Sequence, residues 1–224
     1  MIGIVCAMPE EIGPLKLQLE NPRNELCGHI VFYLGDLCGQ SVVLVQSGIG
    51  KVNAAIATQT MILKYAPKLI VNSGVAGAIS KELKICDVVV ASGVFQYDLD
   101  ISVVRNNLEI IPGLGIGLID CHRRSMQKLL KVSSNVACSG IIATGDSFVN
   151  GIGAAGGLCK KISAVAVEME CGSVGQSCFL NRVDFCVLKV ISDLVWEPSD
   201  NYEKFKDVAA QKSAQILIEF LKMK

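Results

Sequence analysis

Asp184-Phe185-Cys186-Val187-Leu188-Lys189-Val190-Ile191-Ser192-Asp193 is the stretch on which the fold turns. Its apolar residues occupy both odd and even positions, and the run stops on a polar pair. A strand with one wet face alternates apolar and polar residues, whereas one apolar at both parities is covered on both sides. Working outward, the same pattern recurs at Met1–Ala7, Lys68–Ser73, Asp87–Ser92, Val136–Ala143 and Lys161–Val167. Helical periodicity separates these runs at Pro9–Leu19, Lys51–Tyr65 (Val52, Ala55, Ile56, Gln59, Ile62, Leu63), about Met169 to Phe179, and Tyr202–Leu221 (Phe205, Val208, Ala209, Ile216, Leu217, Phe220). Ile30–Leu34 and Ser41–Gln46 flank Gly35–Gln40 as a hairpin, and Gly74–Ala78 reads as a small-residue turn. Covered strands alternating with helices predict an α/β fold, a three-layer α/β/α sandwich around a central mixed, largely parallel sheet. No linker, repeat or shift in composition divides the chain, so residues 1–224 are expected to form one domain.

Composition narrows the function. The 224 residues are 51% hydrophobic and 19% charged, which excludes intrinsic disorder. Mean hydropathy is +0.46, yet the longest apolar stretches, Val71–Ile79 and Val88–Phe95, are strand-sized and far short of the ~20 residues of a spanning helix. Twenty-one basic and twenty-one acidic residues cancel, so no field points to nucleic acid or an anionic membrane. The ten cysteines form no CxxC pair, and the only histidines are His29 and His122. Scattered thiols in apolar runs predict a reducing cytoplasm, and no metal site is expected. Cys121-His122, between Asp120 and two arginines, reads as an exposed helix start.

In sheets of this kind ligands bind beyond the carboxyl ends of the strands, and there the polar residues gather. Six strand ends stand out: Pro9-Glu10-Glu11, Ser47-Gly48-Ile49-Gly50-Lys51, Asn72-Ser73-Gly74-Val75-Ala76-Gly77, residues 144–150, Val167-Glu168-Met169-Glu170 and Ser192-Asp193. Acids that follow buried runs face partly desolvated surroundings, which raise a carboxyl pKa and suit it to general acid work. Taken one at a time, each segment has a plainer reading. Glu11 fits a first-turn acid, Ser192-Asp193 a cap, Phe148 a core plug, and Ser47–Lys51 a tight strand–helix turn lacking phosphate-loop spacing.

Taken together, Ala7-Met8-Pro9-Glu10-Glu11, Ser47-Gly48-Ile49-Gly50-Lys51-Val52, Gly145-Asp146-Ser147-Phe148-Val149-Asn150, Ala166-Val167-Glu168-Met169-Glu170 and Ile191-Ser192-Asp193 resemble the 5'-methylthioadenosine/S-adenosylhomocysteine nucleosidases. The resemblance runs over nearly the whole chain. It implies hydrolysis of the bond between adenine and a 5'-thio-substituted ribose through an oxocarbenium-like transition state, with no cofactor. By this match Asp193 is the acid toward adenine N7, with Ser192 orienting it, and Glu11 is the base for the attacking water. Glu170, beside the Met169 backbone, faces the ribose. Phe148 stacks on the base and the Val149 backbone reads its edge. Met8, Ile49 and Tyr202 line an apolar pocket for the 5' tail, and Gly77 borders the site. Two positions depart from the family pattern: Lys189 replaces an arginine that helps place the water and its carboxylates, and Val75 replaces a serine.

The resemblance also implies a homodimer whose partner completes the tail pocket near Ile101–Pro112. Rival readings remain. A phosphorylase on the same fold would need a phosphate clamp, but none of Arg23, Arg105, Arg123, Arg124 and Arg182 follows one of the quoted strand ends. The others are a nucleosidase for another purine nucleoside (futalosine-type) and a non-catalytic nucleoside binder.

Overall fold

The computed structural model describes residues 1–101, 110–133, 137–151, 162–197 and 200–223. Ten strands alternate with helices: β1 (Ile2–Cys6), α1 (Pro9–Lys16), β2 (Glu20–Cys27), β3 (Ile30–Leu37), β4 (Gln40–Gln46), α2 (Lys51–Tyr65), β5 (Leu69–Ala78), β6 (Val88–Gln96), β7 (Ile119–Asp120), α3 (Arg123–Val132), β8 (Ala137–Thr144), β9 (Ala164–Glu168), α4 (Cys171–Asn181), β10 (Asp184–Leu194) and α5 (Asp200–Lys222).

They form one mixed sheet in the order β10-β6-β8-β9-β5-β1-β4-β3-β2, with β7 on β6. Strand β5 also pairs with β10, so β5, β9, β8, β6 and β10 close into a ring from which β1, β4, β3 and β2 extend. The β1–β4, β1–β5, β5–β10, β6–β8 and β8–β9 pairings are parallel. Helices cover both faces. Ala54, Ala57 and Met61 of α2 share one core with Val174 and Cys178 of α4, while Ile12 and Leu15 of α1, Leu129 of α3 and Leu217 of α5 share another. This is the three-layer α/β/α sandwich expected from the covered strands.

Several local expectations are corrected. Gly74–Ala78 is no turn; it continues β5, buried throughout and hydrogen-bonded to β9 and β10. The hairpin loop is only Cys38-Gly39, both residues at positive φ (52° and 72°), a geometry whose twist matches that of the flanking strands. β2, polar and largely exposed, has no apolar signal and was missed. A helix does start after His122, but Cys121 is buried in the core that α4 covers.

On α5, Val208 faces solvent instead of the core. On α2 only Ile62 of the predicted stripe is buried: the helix rests on Ala54, Ala57, Thr58, Met61 and Ile62, while Val52, Ile56 and Leu63 are exposed. Small side chains let the helix lie close on the sheet, which leaves the bulkier apolar row facing outward.

Candidate active site

Gly77 is the geometric centre of the site. In β5 it is paired with Val167 of β9 on one side and with Asp193 of β10 on the other. The register between β5 and β10 slips between Ile191 and Asp193. An extra residue, Ser192, is inserted there, and a bulge of this kind re-aims the side chain that follows it. A methyl group on Gly77 would stand 2.8 Å from Asp193 Oδ2, so only glycine admits the carboxyl at this point. Ser192 Oγ donates to Asp193 Oδ1 at 2.7 Å. Burial raises the Asp193 pKa, against the Ser192 hydrogen bond, which lowers it.

Glu11 enters from α1. Its position in the first turn lets Oε2 accept the N–H of Met8 (3.0 Å), as half of a capping box, and also that of Ala7 (2.7 Å). Oε1 reaches across to the N–H of Val75 at 2.9 Å. The first-turn position of this acid is as read, and the same carboxylate ties the segment after β1, the start of α1 and β5 together. Burial raises its pKa, while Lys189 and the three backbone donors pull the other way. Gly74 is required here for the same reason as Gly77. A methyl there would lie 2.6 Å from the Glu11 carboxyl carbon.

Glu170 stands at the junction of β9 and α4, buried, with Oε1 accepting the N–H of Gly50 at the start of α2 (2.8 Å). Burial first, and the Glu168 anion second, push its pKa up to about 8. The Lys51 N–H, next in line on α2, is taken by Asp146 Oδ1 at 2.7 Å. Lys51 Nζ in turn binds Asp98 at 2.6 Å, and Asp98 accepts from the Asp146 N–H. The amides at this helix start are thus filled by the chain's own carboxylates.

Glu11, Gly77, Glu168, Glu170, Ser192 and Asp193 line one open cleft of about 580 Å³. Of the residues predicted from sequence, Glu11, Glu170, Asp193, Met8, Ile49, Gly77, Phe148, Val149, Met169, Ser192 and Tyr202 all border it. Lys189 is not among the lining residues. It is 1% exposed and meets Glu168 Oε2 at 2.9 Å, within the field of Glu11 and Glu170. Sequence reading missed the Val75 amide and the lining by Ala7, Ala76, Ser147 and Val167, none of which carries a polar side-chain signal apart from Ser147. The mouth is apolar. The Phe148 and Tyr202 rings meet edge to face with centroids 5.2 Å apart, and the Tyr202 hydroxyl donates to Met8 Sδ at 3.1 Å. Phe148 and Ile49 are 48% and 51% exposed, open to a ligand or a partner. Among the described residues no group of three His, Cys, Asp or Glu is placed to hold a metal ion. Ile101–Pro112, where a partner's contribution to the tail pocket is expected, lies mostly outside the described residues.

The sequence model of the Phosphorylase superfamily matches residues 1–222. A 5'-methylthioadenosine/S-adenosylhomocysteine nucleosidase of Staphylococcus haemolyticus is 37% identical over the full length of both chains. Among solved structures, the Neisseria meningitidis nucleosidase of the same name, in complex with methylthio-immucillin-A, superposes with a TM-score of 0.95 at 29% identity, covering 100% of this chain and 99% of that one. A futalosine hydrolase of Helicobacter pylori superposes with a TM-score of 0.94 at 34% identity, covering 100% and 97%. Matched in fold and over its full length, the chain belongs to the 5'-methylthioadenosine/S-adenosylhomocysteine nucleosidase family of the phosphorylase superfamily.

Proposed function

We propose that this protein hydrolyses the N-glycosidic bond of 5'-methylthioadenosine and S-adenosylhomocysteine, releasing adenine and the 5'-thioribose. The observation that carries the reading is the convergence of Glu11, Glu170 and Asp193 in one cleft with an apolar mouth. Asp193, its pKa raised by burial, holds a proton for adenine N7 as the C1'–N9 bond breaks. Glu170 faces the ribose, where its carboxyl engages the sugar hydroxyls and holds the ring in place. Glu11 takes a proton from the water whose oxygen bonds to C1'. Its three backbone hydrogen bonds favour the anion, and its buried setting strengthens it as a base.

The same geometry argues against phosphorolysis. The amides of Ala7, Met8 and Val75 form a nest suited to an anion, and the Glu11 carboxylate already fills it. A phosphate would meet that charge instead of free donors. Cleavage in ¹⁸O-labelled water tests the reading: label on C1 of the released sugar is expected, and unlabelled sugar would refute it. The likeness to a futalosine hydrolase supports a second reading in which another purine nucleoside is the substrate; competition between the two nucleosides ranks them.

The enzyme is further proposed to act as one domain in the cytoplasm, in methionine salvage, and as a homodimer. Nine described cysteines are free thiols, as a reducing compartment leaves them. The exposed row of Ile49, Val52, Ile56 and Leu63, with Phe179 and Leu180 at the end of the neighbouring α4, supports a surface covered by a second copy.

A further inference from the structure

We infer that Glu168 is a positioning residue whose carboxylate, pinned by Lys189 and Thr144, aims Glu170 into the cleft. This rests on the proposed reading of Glu170 as the group that faces the ribose. The Glu168 side chain is 3% exposed and gathers donors from three elements. Thr144 Oγ1 of β8 donates to Oε1 at 2.6 Å, and Lys189 Nζ of β10 stands 2.9 Å from Oε2. The N–H of Glu170 reaches Oε2 at 3.0 Å, and that of Cys171 lies 3.0 and 2.9 Å from the two oxygens.

Two of these donors belong to Glu170 itself and to the residue after it. The carboxylate therefore caps α4 and holds Glu170 at φ −132°, ψ −42°, outside the helix that follows. From that backbone the Glu170 side chain spans to Gly50. Thr144 Oγ1 also accepts the N–H of Gly172 at 2.8 Å, which ties the next turn into the same cluster. A helix cap alone needs only a neutral oxygen, as Ser or Asn supplies. A desolvated ion pair at this point is costly to assemble, and its carboxylate borders the cleft beside Glu170, whose backbone N–H it holds. Lys189 thus works on the site through Glu168, without lining the cleft.

The test compares cleavage of methylthioadenosine with that of its 2'-deoxy and 3'-deoxy counterparts. Glu168→Gln keeps the shape but replaces one of two accepting oxygens with an NH₂ and removes the charge that holds Lys189. A displacement near 1 Å costs about 100-fold in rate, so kcat on the parent nucleoside is expected to fall by about that factor with KM nearly unchanged. The penalty is expected to shrink toward unity on the deoxy substrate lacking the hydroxyl that Glu170 faces, as coupled positions require. Glu170→Gln is the reference. If it shows this substrate dependence and Glu168→Gln does not, positioning is overturned. If Glu170→Gln itself costs the same on all three substrates, the ribose reading fails first. Because Glu168→Gln strands a buried ammonium, Glu168→Gln/Lys189→Met removes both charges and guards against misfolding. A folded double variant with full kcat would overturn the inference; persistence of the loss is expected.

Discussion

Gly74→Ala separates the geometry of Glu11 from its chemistry, because no reacting group is altered. Gly74 lies within β5 and its backbone is accessible to alanine, so strain in the main chain is not at issue. The added methyl would sit 2.6 Å from the Glu11 carboxyl carbon, and ordinary contact begins at 3.4 Å. Glu11 Oε1 would be nearer still, so the carboxyl must retreat by on the order of 1 Å, away from the Val75 N–H that it holds at 2.9 Å. A shift of that size at a reacting group costs about 100-fold in kcat. Losing one hydrogen bond to a buried carboxylate adds roughly 2 kcal/mol of destabilisation, or about 4–8 °C in Tm for a chain of this size. Adenine release followed at saturating methylthioadenosine measures the first, and thermal unfolding the second. Gly13→Ala is the control, since a methyl there meets nothing within 4 Å, and it should leave kcat untouched. A Gly74→Ala enzyme within about threefold of wild-type kcat, against the ~100-fold expected from displacement, would refute the placement of Glu11 as the base.

Other expectations follow from the same contacts. Asp193→Asn removes the proton aimed at adenine and should lower kcat by about 10²–10⁴-fold, with substrate binding retained in calorimetry; near-normal turnover would reassign the acid. Glu11→Gln should abolish hydrolysis while preserving binding, and loss of binding instead would make it a substrate contact. With its pKa near 8, native Glu170 holds a proton that an unfolded glutamate, with an ordinary value of 4.5, has lost. The folded state thus binds more protons in that window, so stability should decline as pH rises from 4.5 to 8. Melting temperatures across this range should fall less steeply for Glu170→Gln than for wild type. Ile56→Glu, on the exposed row of α2, should convert a dimer to monomer in light scattering without unfolding the chain.

How far the sequence could be read depended on whether a residue's role was local. Strands apolar at both parities announced the covered sheet, and Glu11, Glu170 and Asp193 stood out because acids at the ends of buried runs are conspicuous. Their meeting around Gly77 was not visible, since it depends on β5 pairing with both β9 and β10. Gly74–Ala78 looked like a turn because small residues signal turns, whereas here smallness makes room for the carboxylates of Glu11 and Asp193. Periodicity located α2 but not its inner face, for an apolar stripe looks the same toward a core or toward another surface. Lys189 was placed at the site by its match to a family arginine; its partner, Glu168, lies 21 residues away and only the fold brings them together.

The central claim, that water and not phosphate attacks C1', is tested most directly by adenine release from methylthioadenosine with and without inorganic phosphate. The account predicts equal rates in both and free thioribose as the sugar product. Release that requires phosphate and yields the sugar 1-phosphate would contradict it.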